Sequence, residues 1–214
     1  MHPDSHRSDA ERMLARLKAT LSQAETEVLL LSAVEGLSEE DTAQVLHRPV
    51  LVVRAPLKSL RRILLVADGS PYSLHAAECL AQFPFPSQAD LRVMHVLPPQ
   101  NLPIVAEMAY GFPVEPSAML SEEITRQRAA EKEEGDRLLG QFADILAPSQ
   151  LKVKTVLKSG DAATEIIDYV KQNRIDLIVA GSRGLSRMRS WLLGSVSRKL
   201  VHYSGCSVLI VRSH

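Results

Sequence analysis

The stretch IDLIVAGSRGLSRMRSWLLGS, residues 175–195, carries the clearest structural signals in the sequence. It opens with an aliphatic run, which is typical of a strand buried on both faces of a parallel sheet. Gly181 and Gly184 follow, and nine residues separate Gly184 from the pair Gly194–Ser195. A helix-like run begins directly afterwards, so the spacing predicts a strand, a glycine-rich loop and the start of a helix.

Two interpretations of residues 181–194, called the glycine loop below, are open from this spacing alone. In the first, the loop holds phosphate, because the N–H groups and positive dipole end of a helix N-terminus attract anions. Gly181 would then leave room for a ligand, Gly184 would adopt a positive φ in a tight turn, and Ser195 would cap the helix or bond phosphate. In the second, the loop is an ordinary turn with a serine cap. Its glycines match neither the Walker A motif nor the dinucleotide-binding fingerprint.

Strands and helices alternate through residues 61–214. The segment LKVKTVLK alternates strictly and predicts an edge strand with one wet face, while the other strands are aliphatic and buried. A helix is predicted from about 120 to 146, after a proline-rich excursion at 98–118. The predicted strands are 61–67, 91–97, 151–158, 175–181 and 207–212. This alternation predicts an α/β fold with a doubly wound parallel sheet.

Two loops lie where such a sheet binds its ligands, beyond the carboxyl ends of strands. Asp68, Gly69 and Ser70 follow the first predicted strand, and the glycine loop follows the fourth. With a strand order of 3-2-1-4-5 the two strands are neighbours, and both loops face one crevice where the winding reverses.

Composition narrows the functional class. The chain has 214 residues, 45% of them hydrophobic, and equal numbers of acidic and basic side chains, so no bulk charge favours nucleic acid or an anionic membrane. The arginines at 183, 187 and 189 are a local basic feature suited to a small anion. Cys79 and Cys206 fit no metal or redox pattern and are expected to be buried, reduced thiols. With no predicted signal peptide or membrane span, a cytoplasmic location is expected.

The segment 61–213 resembles a universal stress protein domain of the nucleotide-binding subgroup. The ATP signature of that family is Gly, two residues, Gly, nine residues, Gly, then Ser or Thr, and the glycine loop with Ser195 satisfies it. ILLVADGS, RVMHV, SGDAATEII and DLIVAGSRG are similar to further segments of the family. One departure is Ser207, where the family usually has proline before the last strand.

The resemblance implies a fold, a ligand and a set of contacts. The fold is a five-stranded parallel sheet of order 3-2-1-4-5, similar to the adenine nucleotide alpha hydrolases, and the ligand is ATP, AMP or ADP, with or without Mg²⁺. Asp68 would hold the ribose, Ala67 and the backbone around Val96 would contact adenine, and the glycine loop would line the phosphates. The implied nucleotide-binding residues are Ala67, Asp68, Gly69, Ser70, Val96, Ala180, Gly181, Ser182, Arg183, Gly184, Gly194, Ser195 and Val196.

The function expected from this resemblance is that of an ATP-binding regulator or sensor in a stress response. No positioned general base or pair of metal-binding carboxylates is evident, so neither a catalytic residue nor a metal site is predicted. A slow ATPase or self-phosphorylating protein is one alternative, with Ser182, Ser186 or Ser195 as acceptor. A nucleotide-free interaction module is the other.

The histidines give no support for catalysis. His95 lies in an aliphatic strand and is expected to be a core residue with a satisfied hydrogen bond, while His75 and His202 have no partner at metal-ligand spacing. A triad of Ser70, Asp68 and a histidine would lack the Gly-x-Ser-x-Gly turn that exposes a nucleophile.

The N-terminal quarter resembles the end of the chain. Leu29, Gly36, Leu37 and Ser38 align with residues 148 positions later, and VLVVR at 50–54 aligns with VLIVR 158 positions later. The shorter copy lacks the counterpart of Gly194 and Ser195, and is expected to bind no nucleotide. The predicted organisation is a disordered tail (1–9), a degenerate half-repeat of αβαβ type (10–55), a linker (56–60) and the universal stress protein domain (61–214).

The half-repeat predicts how the edge of the sheet is covered. In the family that the chain resembles, the last strands of two domains commonly pair antiparallel across a dimer. The resemblance therefore implies that residues 50–53 pair antiparallel with residues 208–211, either within the chain or in a homodimer. An unidentified regulatory protein is a further expected partner.

Overall fold

The fold is described from a computed structural model. The described residues are 29–32, 50–53, 61–83, 89–99, 118–149, 151–185 and 193–211. The strands are β1 (Leu29–Ser32), β2 (Val50–Val53), β3 (Arg62–Val66), β4 (Asp90–Leu97), β5 (Val153–Ser159), β6 (Leu177–Gly181) and β7 (Ser207–Val211). The helices are α1 (Pro71–Ala81), α2 (Ala118–Leu146, followed by the 3₁₀ turn Ala147–Ser149), α3 (Ala162–Asn173) and α4 (Ser195–Tyr203).

These strands form one sheet in the order β1-β2-β7-β6-β3-β4-β5. From β3 to β7 all neighbours are parallel, and the order within this part is 3-2-1-4-5, which confirms the predicted doubly wound sheet. Strand β5 is an edge strand of the sheet, as predicted. None of its residues is fully buried, in agreement with its alternating sequence.

The core has two layers because neighbouring strand residues point to opposite faces of the sheet. Leu65 belongs to the cluster beneath α1 and α2, together with Leu80 and Phe142. The adjacent Leu64 belongs to the cluster beneath α3 and α4, together with Ile166. Helices therefore cover both faces, which explains why β3, β6 and β7 are almost entirely aliphatic.

Strand β2 runs antiparallel to β7, as predicted, and within the same chain. The pairs are Val50–Ile210, Leu51–Leu209 and Val52–Val208. Under the sequence offset of 158, Leu51 corresponds to Leu209, so this register is two-fold symmetric about that pair. Strand β1 pairs parallel to β2 on its other side, as β6 does to β7. By the sequence offsets, Leu29 corresponds to Leu177 and Val50 to Val208. Leu29 pairs with Val50, whereas Leu177 pairs with Ser207, so the registers of the two parallel pairs differ by one residue.

Some expectations lie outside the described residues. They are the tail at 1–9, the helices and linker of the N-terminal half, and most of the excursion at 98–118. In the part of the chain that the structure describes, no helix is long and apolar enough to cross a membrane. Both cysteines are free; Cys206 is buried as expected, but Cys79 is only half-buried. Burial raises the pKa of the Cys79 thiol, and the charge of Glu78 acts in the same direction.

The pairing of β2 with β7 makes a prediction about solution behaviour. Deleting residues 1–56 removes β1 and β2 and leaves one side of β7 without a strand. An unpaired edge is a template for another chain, so the truncated protein is expected to dimerise or precipitate while the full chain does not. Light scattering at matched concentrations measures this, with far-ultraviolet circular dichroism as the control for folding. A folded, monomeric and soluble truncated protein would contradict the prediction.

Candidate functional site

A gap opens at the carboxyl edge of the sheet because β3 ends before its two neighbours do. Its pairing with β4 ends at Val66–Met94 and its pairing with β6 ends at Leu65–Val179. Strand β4 nevertheless continues to Leu97 and β6 continues to Gly181. Beyond the end of β3, β4 and β6 therefore have a gap between them, which is where ligands bind in doubly wound sheets.

The turn after β3 takes the chain away from this gap. The Ser70 N–H donates to Asp68 Oδ1 at 3.0 Å, and Gly69 has a φ of +76°, which favours glycine. Ser70 then caps α1 by accepting the Ser73 N–H at 3.2 Å, and Pro71 occupies the first helical position. The sequence DGSP thus bends the chain and starts the helix within four residues.

A cavity of about 220 Å³ occupies the gap. One side of the cavity, formed by the end of β3, by β4 and by α3, is apolar, with Val66, Val96 and Ile166. Its other side is polar and is formed by Asp68, the glycine loop and the start of α4. All lining residues are Val66, Ala67, Asp68, Ser73, His95, Val96, Ala162, Ile166, Ala180, Gly181, Arg183, Gly184, Leu185, Gly194, Ser195, Val196 and Ser197. A ligand with an apolar ring at one end and anionic groups at the other would match this division.

The structure brings most of the predicted site residues to this cavity. Those that line it are Ala67, Asp68, Val96, Ala180, Gly181, Arg183, Gly184, Gly194, Ser195 and Val196. Gly69, Ser70 and Ser182 do not line it. Sequence reasoning missed Ala162 and Ile166, which form the α3 side of the cavity. They are four residues apart at the start of the helix that Asp161 caps, so both lie on the same face of that helix.

Gly181 is a glycine for a different reason from the one expected, and Gly69 has a close contact in addition to its positive φ. A Cβ on Gly181 would lie 2.7 Å from the carbonyl carbon of Tyr72 and 2.9 Å from the nitrogen of Ser73, so the first turn of α1, not a ligand, excludes a side chain there. A Cβ on Gly69 would lie 2.9 Å from Leu138 Cδ1 on α2. Both residues allow close packing of helices around the site.

The prediction of a positive φ at Gly184 is wrong. Among the described glycines only Gly69 and Gly160 have one. A Cβ on Gly184 would instead lie 2.6 Å from Asp68 Oδ2, so this glycine lets the loop approach the carboxylate across the gap. The two loops therefore meet as predicted, and Gly184 is one of their points of contact.

The start of α4 faces the cavity without a side-chain cap. The N-cap residue is Gly194, and Ser195, expected to be the cap, is instead the first residue of the helix and is exposed. The Gly194 N–H donates to Ser182 O at 2.8 Å, and Ser197 Oγ donates to Gly181 O at 2.8 Å, which holds the helix start against the glycine loop. The first N–H groups of a helix have no acceptor within it, so here they are available to an anion.

His95 differs in part from its expected role. Its Nδ1 donates to Ala67 O at 2.7 Å, which satisfies one ring nitrogen as predicted, but the half-buried ring also lines the cavity. Because a carbonyl can only accept, Nδ1 carries the hydrogen, and in the neutral ring Nε2 is an acceptor. A Cβ on Gly135 would lie 3.4 Å from the His95 ring and 2.8 Å from Leu157, so this glycine lets α2 pack closely over both.

The main chain of Val96 faces the gap. Met94 O accepts the Ala67 N–H at 2.9 Å, which shows that the polar main-chain groups of Met94 point toward β3. Because these groups alternate along a strand, those of Val96 point the same way. Pairing with β3 has ended by that residue, so the Val96 N–H and C=O border the cavity.

The serines expected as phosphate acceptors differ in exposure. Ser195 is exposed, whereas Ser182 is only 3% exposed and its Oγ has no hydrogen-bond partner within the described structure. Ser186, Arg187 and Arg189 lie outside the described residues. No group of three or more His, Cys, Asp and Glu side chains suited to a metal ion occurs in the ranges described above.

The glycine contacts predict a matched pair of stability effects. Gly181→Ala forces a Cβ into the backbone of α1 and should lower the free energy of unfolding by about 1–3 kcal/mol. Gly194→Ala meets nothing closer than 3.4 Å at a φ of −59°, which alanine adopts readily. Its expected cost is therefore only the preference of an N-cap for glycine over alanine, about 0.5–1 kcal/mol. Urea denaturation of both variants measures the difference, and equal effects would contradict the assigned contact.

Comparisons with known proteins agree with this fold. Universal stress protein YxiE of Bacillus subtilis (strain 168) is 31% identical over 151 residues, which are 71% of this chain and 98% of that protein. Universal stress protein MJ0531 of Methanocaldococcus jannaschii is 28% identical over 161 residues, which are 75% of this chain and 87% of that protein.

Two solved structures are similar in fold. Hypothetical protein MJ0577 has a TM-score of 0.58 at 22% identity and covers 72% of this chain and 97% of its own. A universal stress protein from Archaeoglobus fulgidus DSM 4304 has a TM-score of 0.55 at 17% identity and covers 92% of this chain and 64% of its own. The model of the universal stress protein family matches residues 59–212. The chain therefore belongs to the universal stress protein family.

Proposed function

We propose that this universal stress protein binds an adenine nucleotide, with ATP as the principal ligand, and acts as a nucleotide-dependent regulator or sensor in the stress response. One observation carries the proposal: three groups suited to three parts of a nucleotide border the same cavity. They are the uncapped start of α4, the Asp68 carboxylate and the main chain of Val96.

The phosphates would lie at the start of α4. Two features favour an anion there: the N–H groups of the first turn, which have no acceptor within the helix, and the positive end of the helix dipole. Gly194 has no side chain to block the approach, and Arg183 lines the same side of the cavity.

The ribose would lie against Asp68. Its Oδ1 already accepts the Ser70 N–H, which fixes the carboxylate, and its Oδ2 points toward Gly184. A carboxylate is an acceptor only, with about four lone-pair sites, so capacity remains for two sugar hydroxyls.

The base would lie in the apolar side of the cavity. Val66, Val96 and Ile166 supply a surface for an aromatic ring. The Val96 main chain provides one donor and one acceptor, which match the adjacent acceptor and donor on the pairing edge of adenine. Adenine therefore fits this edge better than a base with the reverse pattern.

Magnesium would enter with the phosphates. Asp68, the one carboxylate among the described residues that line this cavity, is already assigned to the ribose. Mg²⁺ would therefore be held by the nucleotide phosphates and would keep several of its waters.

We infer that residues 10–55 are a half-length copy of the domain that serves as a structural cover for β7. The symmetric register about Leu51–Leu209 supports this reading. So does the Archaeoglobus structure, since its likeness to this chain extends well beyond one domain. The copy lacks a counterpart of Gly194 and Ser195, so it would not hold phosphate.

Mass spectrometry of the molecules released from the purified, denatured protein tests the proposed function, followed by titration of the nucleotide-free protein. We expect adenine nucleotides in the first measurement and saturable ATP binding in the second. A protein that releases no adenine nucleotide and shows no heat on titration with ATP, ADP or AMP would overturn the proposal.

Asp68→Asn tests the ribose contact. Asparagine keeps an acceptor for the Ser70 N–H but replaces Oδ2 with a donor. Binding of ATP, AMP and adenosine should weaken to the same extent, by about tenfold, because all three share the ribose. Calorimetric titration measures the three affinities, with Asp144→Asn on the exposed surface of α2 as the matched control. Selective loss of ATP alone would contradict the assignment.

Ser195→Ala tests the phosphate contact. Removing this exposed hydroxyl at the start of α4 should lower the affinity for ATP by about threefold. The affinity for adenosine should not change, because only ATP reaches the start of the helix. The same titrations measure it. Equal weakening of both ligands would place the phosphates elsewhere.

A further inference from the structure

One contact at the polar side of the cavity has no part in the site described so far. The Arg183 Cζ lies 5.8 Å from the centre of the Tyr72 ring, and Arg183 Nη1 lies 3.4 Å from the Tyr72 hydroxyl oxygen. This is the geometry of a cation–π interaction, for which arginine is favoured over lysine by its flat, weakly hydrated group. The pair joins the first turn of α1 to the glycine loop.

The Tyr72 ring is held in place by its backbone. Ser70 caps the helix and Pro71 fixes the first helical residue, so Tyr72 stands at a defined position of the first turn. Gly181 packs directly against its main chain, with no room for a Cβ. The position of the Tyr72 main chain is therefore fixed, and its half-buried side chain lies beside the glycine loop.

Arg183 is held at the same place from the other side. Its carbonyl oxygen accepts from the Ser70 hydroxyl at 3.3 Å, and its Cα would lie 3.4 Å from a Cβ on Gly194. Its side chain lines the cavity together with Gly184, Gly194 and Ser195. The guanidinium thus stands on the side of the cavity where the uncapped start of α4 favours an anion.

We propose that Tyr72 is a positioning residue that holds the Arg183 guanidinium at the phosphate end of the cavity, and that this pair sets the preference for phosphorylated nucleotides over the free nucleoside. The inference rests on the proposed function, because it assigns a specificity role within the same site. Contact with the ring restricts the Arg183 side chain before any ligand binds, so less conformational entropy is lost when it meets a phosphate. A guanidinium meets an aromatic ring through its flat face, whereas its N–H edge is the part that forms charge-assisted hydrogen bonds with phosphate.

Two variants separate positioning from contact. Arg183→Met keeps length and packing but removes the charge, and should lower the ratio of ATP affinity to adenosine affinity by about tenfold. Tyr72→Leu keeps an apolar side chain but removes the ring, and should lower the same ratio by about threefold. Tyr72→Phe keeps the ring, so its ratio should stay within about twofold of wild type. Adenosine serves as the internal reference, because general damage to the site affects both ligands.

The double variant decides whether the two residues act as one unit. If Tyr72 acts through Arg183, Tyr72→Leu should change the ratio no further in a protein that already carries Arg183→Met. The matched control is Arg61→Met, which removes the same charge at the amino end of β3, where the Arg61 N–H bonds to Asp176. This control should leave the ratio unchanged.

Isothermal titration calorimetry gives the affinities for both ligands, and thermal unfolding reports whether each variant is folded. A wild-type protein that binds no nucleotide overturns the proposed function and this inference together. Wild-type ATP binding with an unchanged ratio in folded Tyr72→Leu and Arg183→Met overturns this inference alone. An additive loss in the double variant shows that Tyr72 does not act through Arg183, and also overturns it.

Discussion

The close approach of Gly181 to the first turn of α1 is the constraint on which the site depends. No side chain fits between this residue and the main chain of Tyr72. Gly181 and the next residue, Ser182, form three further hydrogen bonds. Gly181 O accepts from Ser197 on α4, and Ser182 O accepts from the Gly194 N–H. The Ser182 N–H donates to Val211 O at 2.7 Å. One point of the backbone therefore ties α1, α4 and β7 to the end of β6.

These contacts explain how the early end of β3 produces a cavity that is closed on its sides. Ending a strand early would ordinarily leave unpaired main-chain groups at an edge, which is costly unless they are bonded or face solvent. Here the Asp68–Ser70 turn moves the chain into α1, and α4 closes the other side. The Val96 main chain, an acidic side chain and a helix start then border one space. None of them comes from adjacent positions in the sequence.

The N-terminal strands solve a different problem. Strand β7 is aliphatic and fully buried, and an exposed strand of this kind invites association with other chains. Strand β2 covers it with the same type of residues in a register symmetric about Leu51–Leu209. The cover is supplied within one chain, so closing this edge needs no second protomer.

Local patterns in the sequence determined much of this protein. Aliphatic runs predicted the strands, and the glycine spacing predicted the loop that enters α4. The likeness of the two VLVVR-like segments predicted a half-repeat, and the family resemblance implied the antiparallel pairing of β2 with β7 that the structure shows. These signals are local because burial, capping and turn formation act over a few residues.

Only the tertiary structure decided why particular residues stand where they do. Gly181 is small because of α1, Gly184 is small because of the Asp68 carboxylate, and Ser195 follows the cap rather than forming it. Ala162 and His95 joined the site although neither lies in the glycine motif. Each of these facts is a distance between segments far apart in the chain. Such distances follow from how helices pack on the sheet, and no pattern along the sequence records them.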